Sequence, residues 1–169
     1  TSPLILKTFL MTYHGRHIPK KIQLIDLWEQ KWTYSNRNTN DQGHFQKQFA
    51  LFLLQEGKMY TAFDDLYKHP VLQPLLKTQD ITSPLNILLY KHILVDRKTI
   101  SGPEISFNID SEHDFALAKA IIDMGWANDI DTLLSHIEPH LEYPAIFGAI
   151  RFLLHLQSQT NLDFLIEAV

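Results

Sequence analysis

Nine histidines and no cysteine in 169 residues direct any search for chemistry toward imidazoles and carboxylates. Without a thiol there is no cysteine nucleophile, no disulfide scaffold and no thiolate-bound zinc or iron–sulfur centre. His136 and His140 have the four-residue spacing that places two ligands on one side of a helix, with Glu138 or Glu142 as an added oxygen. Pro139 stands between them and would clash inside a helix. Two surface histidines at a helix C-terminus, favoured there by the dipole, account for the same pattern. No metal and no cofactor is expected.

Asp110, Glu112, His113 and Asp114 join three carboxylates to one imidazole. Carboxylates can divide acid and base roles when their surroundings separate their pKa values, or can hold a divalent cation. They also bracket a helix start, where acidic residues are favoured for local reasons. Ser135 and His136 are adjacent, which does not put a helical pair on one side, and no G-x-S-x-G elbow or phosphate-binding G-x-x-x-x-G-K-[ST] occurs. Arg151 is the isolated charge in an apolar helix; it is expected to pair with Asp123 or Glu142, or to anchor a ligand carboxylate. His14, Arg16, His17, Lys20 and Lys21 form a cationic turn able to meet a phosphate or an acidic side chain beside a helix start. Trp32, near a helix end, is the aromatic expected at the edge of that patch, and Trp126 is expected to plug a helix–helix turn.

The charges are unevenly spread. Residues 1–95 carry 11 Lys/Arg against 7 Asp/Glu, and residues 96–169 carry 4 against 12. A basic front and an acidic back suit two lobes that attract each other, or a surface that steers a charged partner. Neither half has the concentrated cationic stripe of a nucleic-acid binder, so no nucleic-acid partner is expected. At 45% hydrophobic and 20% charged the composition is that of a globular chain rather than a disordered one. No apolar run approaches the roughly 20 residues of a membrane span. The opening Thr1, Ser2, Pro3, Leu4 has neither an initiator Met nor a signal-peptide pattern, which suggests a fragment of a longer chain with a cytoplasmic location.

Helices must position these residues. Leu6, Phe9, Leu10 and Tyr13 predict a first helix ended by Gly15, and a second follows Pro19 with Ile22, Ile25, Leu27, Trp28 and Trp32 on one face. Tyr34–Gly43 reads as an exposed polar loop. Helices are predicted over 44–56, stopped by Gly57, over 59–68, and over 85–95 behind the Ser83-Pro84 cap. Residues 96–110 break the pattern: Ile105, Phe107 and Ile109 alternate with Ser106 and Asn108, as in a short strand or an extended arm. Ser111 and Asp114 resemble a capping box for a helix ending at Gly125. Asp129 or Asp131 caps the next, Pro144 opens a long one, and residues 162–169 close the chain. The expected fold is all-α, a compact multi-helix bundle or irregular stacked hairpins. It forms one domain over 1–169, divisible into sub-lobes 1–95 and 104–169 joined by a loop or arm at 96–103.

Phe9, Leu10, Met11, Thr12 and Tyr13, then Ile18, Pro19, Lys20 and Lys21, then Leu24, Leu27 and Trp28, carry a resemblance over residues 4–32. The stretch resembles the opening of the N-terminal helical module of Ras-type guanine nucleotide exchange factors. Met11 replaces that family's usual Leu, His14-Gly15-Arg16 replaces its Arg-Ser-Phe turn, and Lys20 stands where an acidic residue is common. No catalytic exchange domain is recognisable after it. The resemblance implies a stabilising or partner-binding helical module, with a small GTPase or its regulator as partner, and no exchange activity of its own. The function expected is therefore a protein-interaction or scaffolding module, with His14, Arg16, His17, Lys20, Lys21 and Trp32 as its binding patch. The alternatives are a helical enzyme gathering His92, His113, His136 or His155 with acidic residues, and a lobe that supports a neighbouring exchange-factor-like domain.

Overall fold

The computed structural model describes residues 6, 9, 10, 13–15, 18, 22–36, 40–76, 81–100 and 102–160. Helix α1 (Leu24–Ser35) begins where the Asp26 carboxylate accepts the Gln23 N–H at 2.9 Å, so the helix starts after Ile22 and not behind Pro19. Helix α2 (Asn40–Glu56) takes in the last four residues of the stretch expected as a loop, and α1 takes in its first two, Tyr34 and Ser35. Gln42 is buried and accepts the Lys91 ammonium at 2.8 Å, and Gly43 lies against the Asn36 side chain, so polar residues here face the interior. Gly57, at φ 64°, ends α2 in the left-handed region that suits glycine.

Strand β1 (Tyr60–Ala62) and short helices α3 (Phe63–Lys68) and α4 (Gln73–Leu76) follow. Helix α5 (Pro84–Tyr90) has the expected cap, the Ser83 hydroxyl accepting the Asn86 N–H. It stops earlier than its sequence suggested, because Leu94 and Val95 belong to strand β2 (Leu94–Thr99). Strand β3 (Gly102–Phe107) returns antiparallel to it. The sheet order is β1-β3-β2, with Tyr60 opposite Ser106, Thr61 opposite Ile105 and Arg97 opposite Glu104. The fold is thus predominantly helical but not all-α, and residues 96–99 and 102–103 lie in the paired strands β2 and β3.

Helix α6 (Asp110–Asp123) packs against α2 on one side and against α8 (Pro144–Thr160) on the other. Its N-cap is Ile109, and no side chain caps it, so Ser111 and Asp114 form no capping box. Gly125 (φ 72°) turns the chain through a 3-10 segment, Trp126–Asn128, into α7 (Ile130–Ile137), where the Asp129 carboxylate accepts the Thr132 N–H at 2.8 Å. A second 3-10 turn, Glu138–His140, leads to α8. Residues 162–169 lie outside the described residues.

One apolar cluster runs from Ile25 to Leu156 and joins residues of both halves of the chain. At its centre Phe115 meets Trp28, Trp32 and Phe152, with ring centroids 5.2 to 6.4 Å apart. Phe49 and Phe107 close it under the sheet. The charge asymmetry is used across this core: Lys31 pairs with Glu112 and Lys47 with Asp123, each a front-half lysine on an α6 carboxylate.

Candidate functional site

Alternation along β3 builds one wall of a cleft. Ile105 and Phe107 are buried, so Glu104 and Ser106 face the other way, beside Tyr60 of β1 and Arg97 of β2. The chain then turns through Asn108 into α6, whose Asp110 and His113 supply the second wall. The cleft between them has a volume of about 350 Å³. A second hollow of about 480 Å³ shares Met59, Tyr60 and Glu104 with it. Tyr60 is 52% exposed, an aromatic ring at a junction of polar surfaces.

Helical spacing sorts the acidic cluster noted in the sequence. Positions 110, 113 and 114 share a face, whereas 112 points to α1, where buried Glu112 meets Lys31. His113 is buried, stacked on Phe107 at 4.7 Å with ring planes 14° apart. The Tyr143 hydroxyl donates its proton to the Lys58 carbonyl at 3.0 Å, so it accepts from His113 Nε2 at 3.2 Å. That assigns the Nε2–H tautomer and leaves Nδ1 a bare acceptor with no hydrogen-bond partner. Burial pushes the His113 pKa down to about 4, so the ring is neutral. Burial also raises the Tyr143 hydroxyl above its usual range, with the Asp114 charge adding to it.

Asp114 is pressed against α8. A Cβ on Gly148 would overlap its carboxylate, so glycine is what lets α6 and α8 approach here. Burial, and secondarily the Asp110 charge one turn away, raise the Asp114 pKa to about 7, while Arg151 opposes the shift. Arg151 is exposed and acts on Asp114 through its charge; Asp123, one partner expected for it, is paired with Lys47.

The other anticipated residues are scattered. His14 is exposed, and Arg16, His17, Lys20 and Lys21 lie outside the described residues. Trp32 is half-buried, edge-on to Phe115 at 5.7 Å. Trp126 stacks on His136 at 4.4 Å, and His136 Nδ1 donates to the Thr132 carbonyl at 2.8 Å. His92 and His155 are exposed, and neither lines the cleft. Among the described residues no group of three or more His, Asp or Glu is placed to hold a metal ion, and no helix is long and apolar enough to cross a membrane. Sequence reasoning passed over Tyr60, Arg97, Glu104 and Tyr143. The Ile105/Phe107 alternation already implied an outward row at 104 and 106, but nothing local pointed to Tyr60 or Tyr143. No protein-family model matches this chain, and neither a curated protein nor a solved structure matches it.

Proposed function

We propose that the chain is a protein-interaction module and that the cleft between the sheet and α6 is its recognition site. The observation that carries this reading is the half-exposed Tyr60 ring, set beside a cleft of about 350 Å³ whose walls hold both charged and hydrogen-bonding groups. Aromatic anchors ringed by polar groups are where binding energy concentrates. The resemblance over residues 4–32 favours a small GTPase or its regulator as the partner class, and the cationic turn at His14, Arg16, His17, Lys20 and Lys21 would then steer the encounter.

Catalysis is the second reading, favoured by the ionisable groups Glu104, Asp110 and His113 on one cleft. Against it, burial makes His113 a weak base, its Nε2 proton is engaged by Tyr143, and no serine or threonine hydroxyl among the described residues hydrogen-bonds it. A support lobe would want one continuous apolar face. The exposed Phe147 and Leu154 of α8 are separated by the charged Arg151.

The test is affinity capture with the wild-type chain beside Tyr60→Ala and Asp110→Lys, with thermal melting of each. Both positions are exposed, so melting should hardly change while a specific partner is lost from both variants. Partners retained equally by all three chains would remove the cleft from the function.

A further inference from the structure

Resting on that reading, we infer that the cleft takes a basic side chain, a lysine or arginine, from the partner polypeptide. The groups that line it bring four hydrogen-bond acceptors together. Asp110 offers an exposed carboxylate at the mouth. Glu104 offers another, 3.3 Å from the Thr99 hydroxyl, which donates its proton to the Gly102 carbonyl at 2.8 Å. Asn108 directs an amide N–H to the His92 carbonyl at 2.9 Å, which leaves its own side-chain oxygen as an acceptor. His113, only 1% exposed, brings Nδ1 without any donor opposite it. A buried acceptor left unmatched costs about 1–3 kcal/mol, and a ligand N–H that reaches it recovers that cost.

Charge points the same way. Among the described residues that line the cleft Arg97 is the one cation, and it lies directly across the strands from Glu104, whose charge offsets it. Asp110 makes no ion pair among the described residues, and the negative field it creates extends to Asp114 on the next turn of α6. An anion would meet that field and the acceptors as repulsion. A metal ion would need a set of ligands that the described residues do not assemble. A cationic nitrogen satisfies both the charge and the acceptors, and the half-exposed Tyr60 ring supplies a face for its alkyl stem or a cation–π contact.

The experiment is selection of a random displayed-peptide library on the wild-type chain, with counter-selection on Tyr60→Ala to keep cleft-dependent binders. Titrations with N-acetyl-lysine amide, N-acetyl-arginine amide and N-acetyl-norleucine amide follow, read by 15N NMR of the His113 imidazole. Selected peptides should carry a basic residue whose replacement by norleucine or citrulline weakens binding roughly tenfold or more, and Asp110→Asn should cost a similar factor. His113 Nδ1 should shift with the basic amides and not with norleucine. Cleft-dependent peptides that bind without a basic residue, or bind Asp110→Asn equally well, would overturn this inference and leave the interaction module standing. If no cleft-dependent peptide emerges, the interaction reading falls, and the amide titrations alone decide the cation site: a His113 shift abolished by Asp110→Asn keeps it, and no shift ends it.

Discussion

His113 and Asp114 are neighbours in sequence, yet their protonation should pull stability in opposite directions across the same pH range. The His113 pKa is about 4 in the folded chain against 6.5 for the free group. Between those values the unfolded chain binds a proton that the folded chain refuses, so this group makes stability rise with pH. At about 1.36 kcal/mol per pH unit the gain is about 3 kcal/mol, little discounted because the ring is 1% exposed. The Asp114 pKa is about 7 against 3.8 for the free group. There the folded chain keeps a proton that the unfolded chain has lost, so stability falls as pH rises from about 4 to about 7. Full conversion gives about 4 kcal/mol; partial exposure and solvent screening reduce it to about 2 kcal/mol. In the parent chain the discounted Asp114 slope offsets about half of the His113 slope below pH 6.5. Asp114→Asn should uncover the His113 slope, with stability climbing by about 3 kcal/mol between pH 4 and 6.5. His113→Asn should uncover the Asp114 slope, with stability declining over the same interval. Urea unfolding at several pH values, with m-values checked for constancy, reads both. Parallel pH profiles for the parent chain and Asp114→Asn would refute the assignment of a proton to Asp114 at neutral pH.

Other perturbations follow from packing. Phe115→Ala opens a cavity among Trp28, Trp32 and Phe152 and should destabilise by about 3–5 kcal/mol in chemical unfolding. Gly148→Ala should expel the Asp114 carboxylate from its seat on α8, returning its pKa toward the ordinary carboxylate range in a 13C NMR titration. The net stability change should be small, since alanine regains about 1 kcal/mol of helix propensity against the clash. Ser83→Ala removes the acceptor for the Asn86 N–H and should cost about 1 kcal/mol by thermal or urea unfolding.

Features decided by the local backbone were legible in the sequence. Gly57 and Gly125 end helices with positive φ, Ser83 and Asp129 cap them, and Pro144 starts one, because each effect acts within a turn of the residue that causes it. Features decided by a distant partner were not. Tyr60–Ala62 is a strand only because β3 lies beside it, and three residues carry no period of their own. Asn40–Gly43 is helical because Gln42 finds Lys91 and Gly43 finds Asn36, a burial of polar groups that a hydrophobic pattern cannot register. Ser111 and Asp114 had capping-box spacing, but Asp114 is drawn away to α8. The candidate site divides in the same way. The sequence brought Asp110, Glu112, His113 and Asp114 together by their proximity, and the helix sends Glu112 away to Lys31, whereas Tyr143 reaches His113 from 30 residues farther along the chain and Tyr60 arrives on the opposite wall through strand pairing.

The most direct test of the cleft as recognition site is amide chemical-shift mapping of the 15N-labelled chain during titration with the tightest-binding selected peptide. The largest changes are expected at Tyr60, Ser106, Asn108, Asp110 and His113, with little change along the exposed Phe147–Leu154 face of α8. Largest changes on that α8 face, or around His14, with the cleft resonances unmoved, would contradict the account.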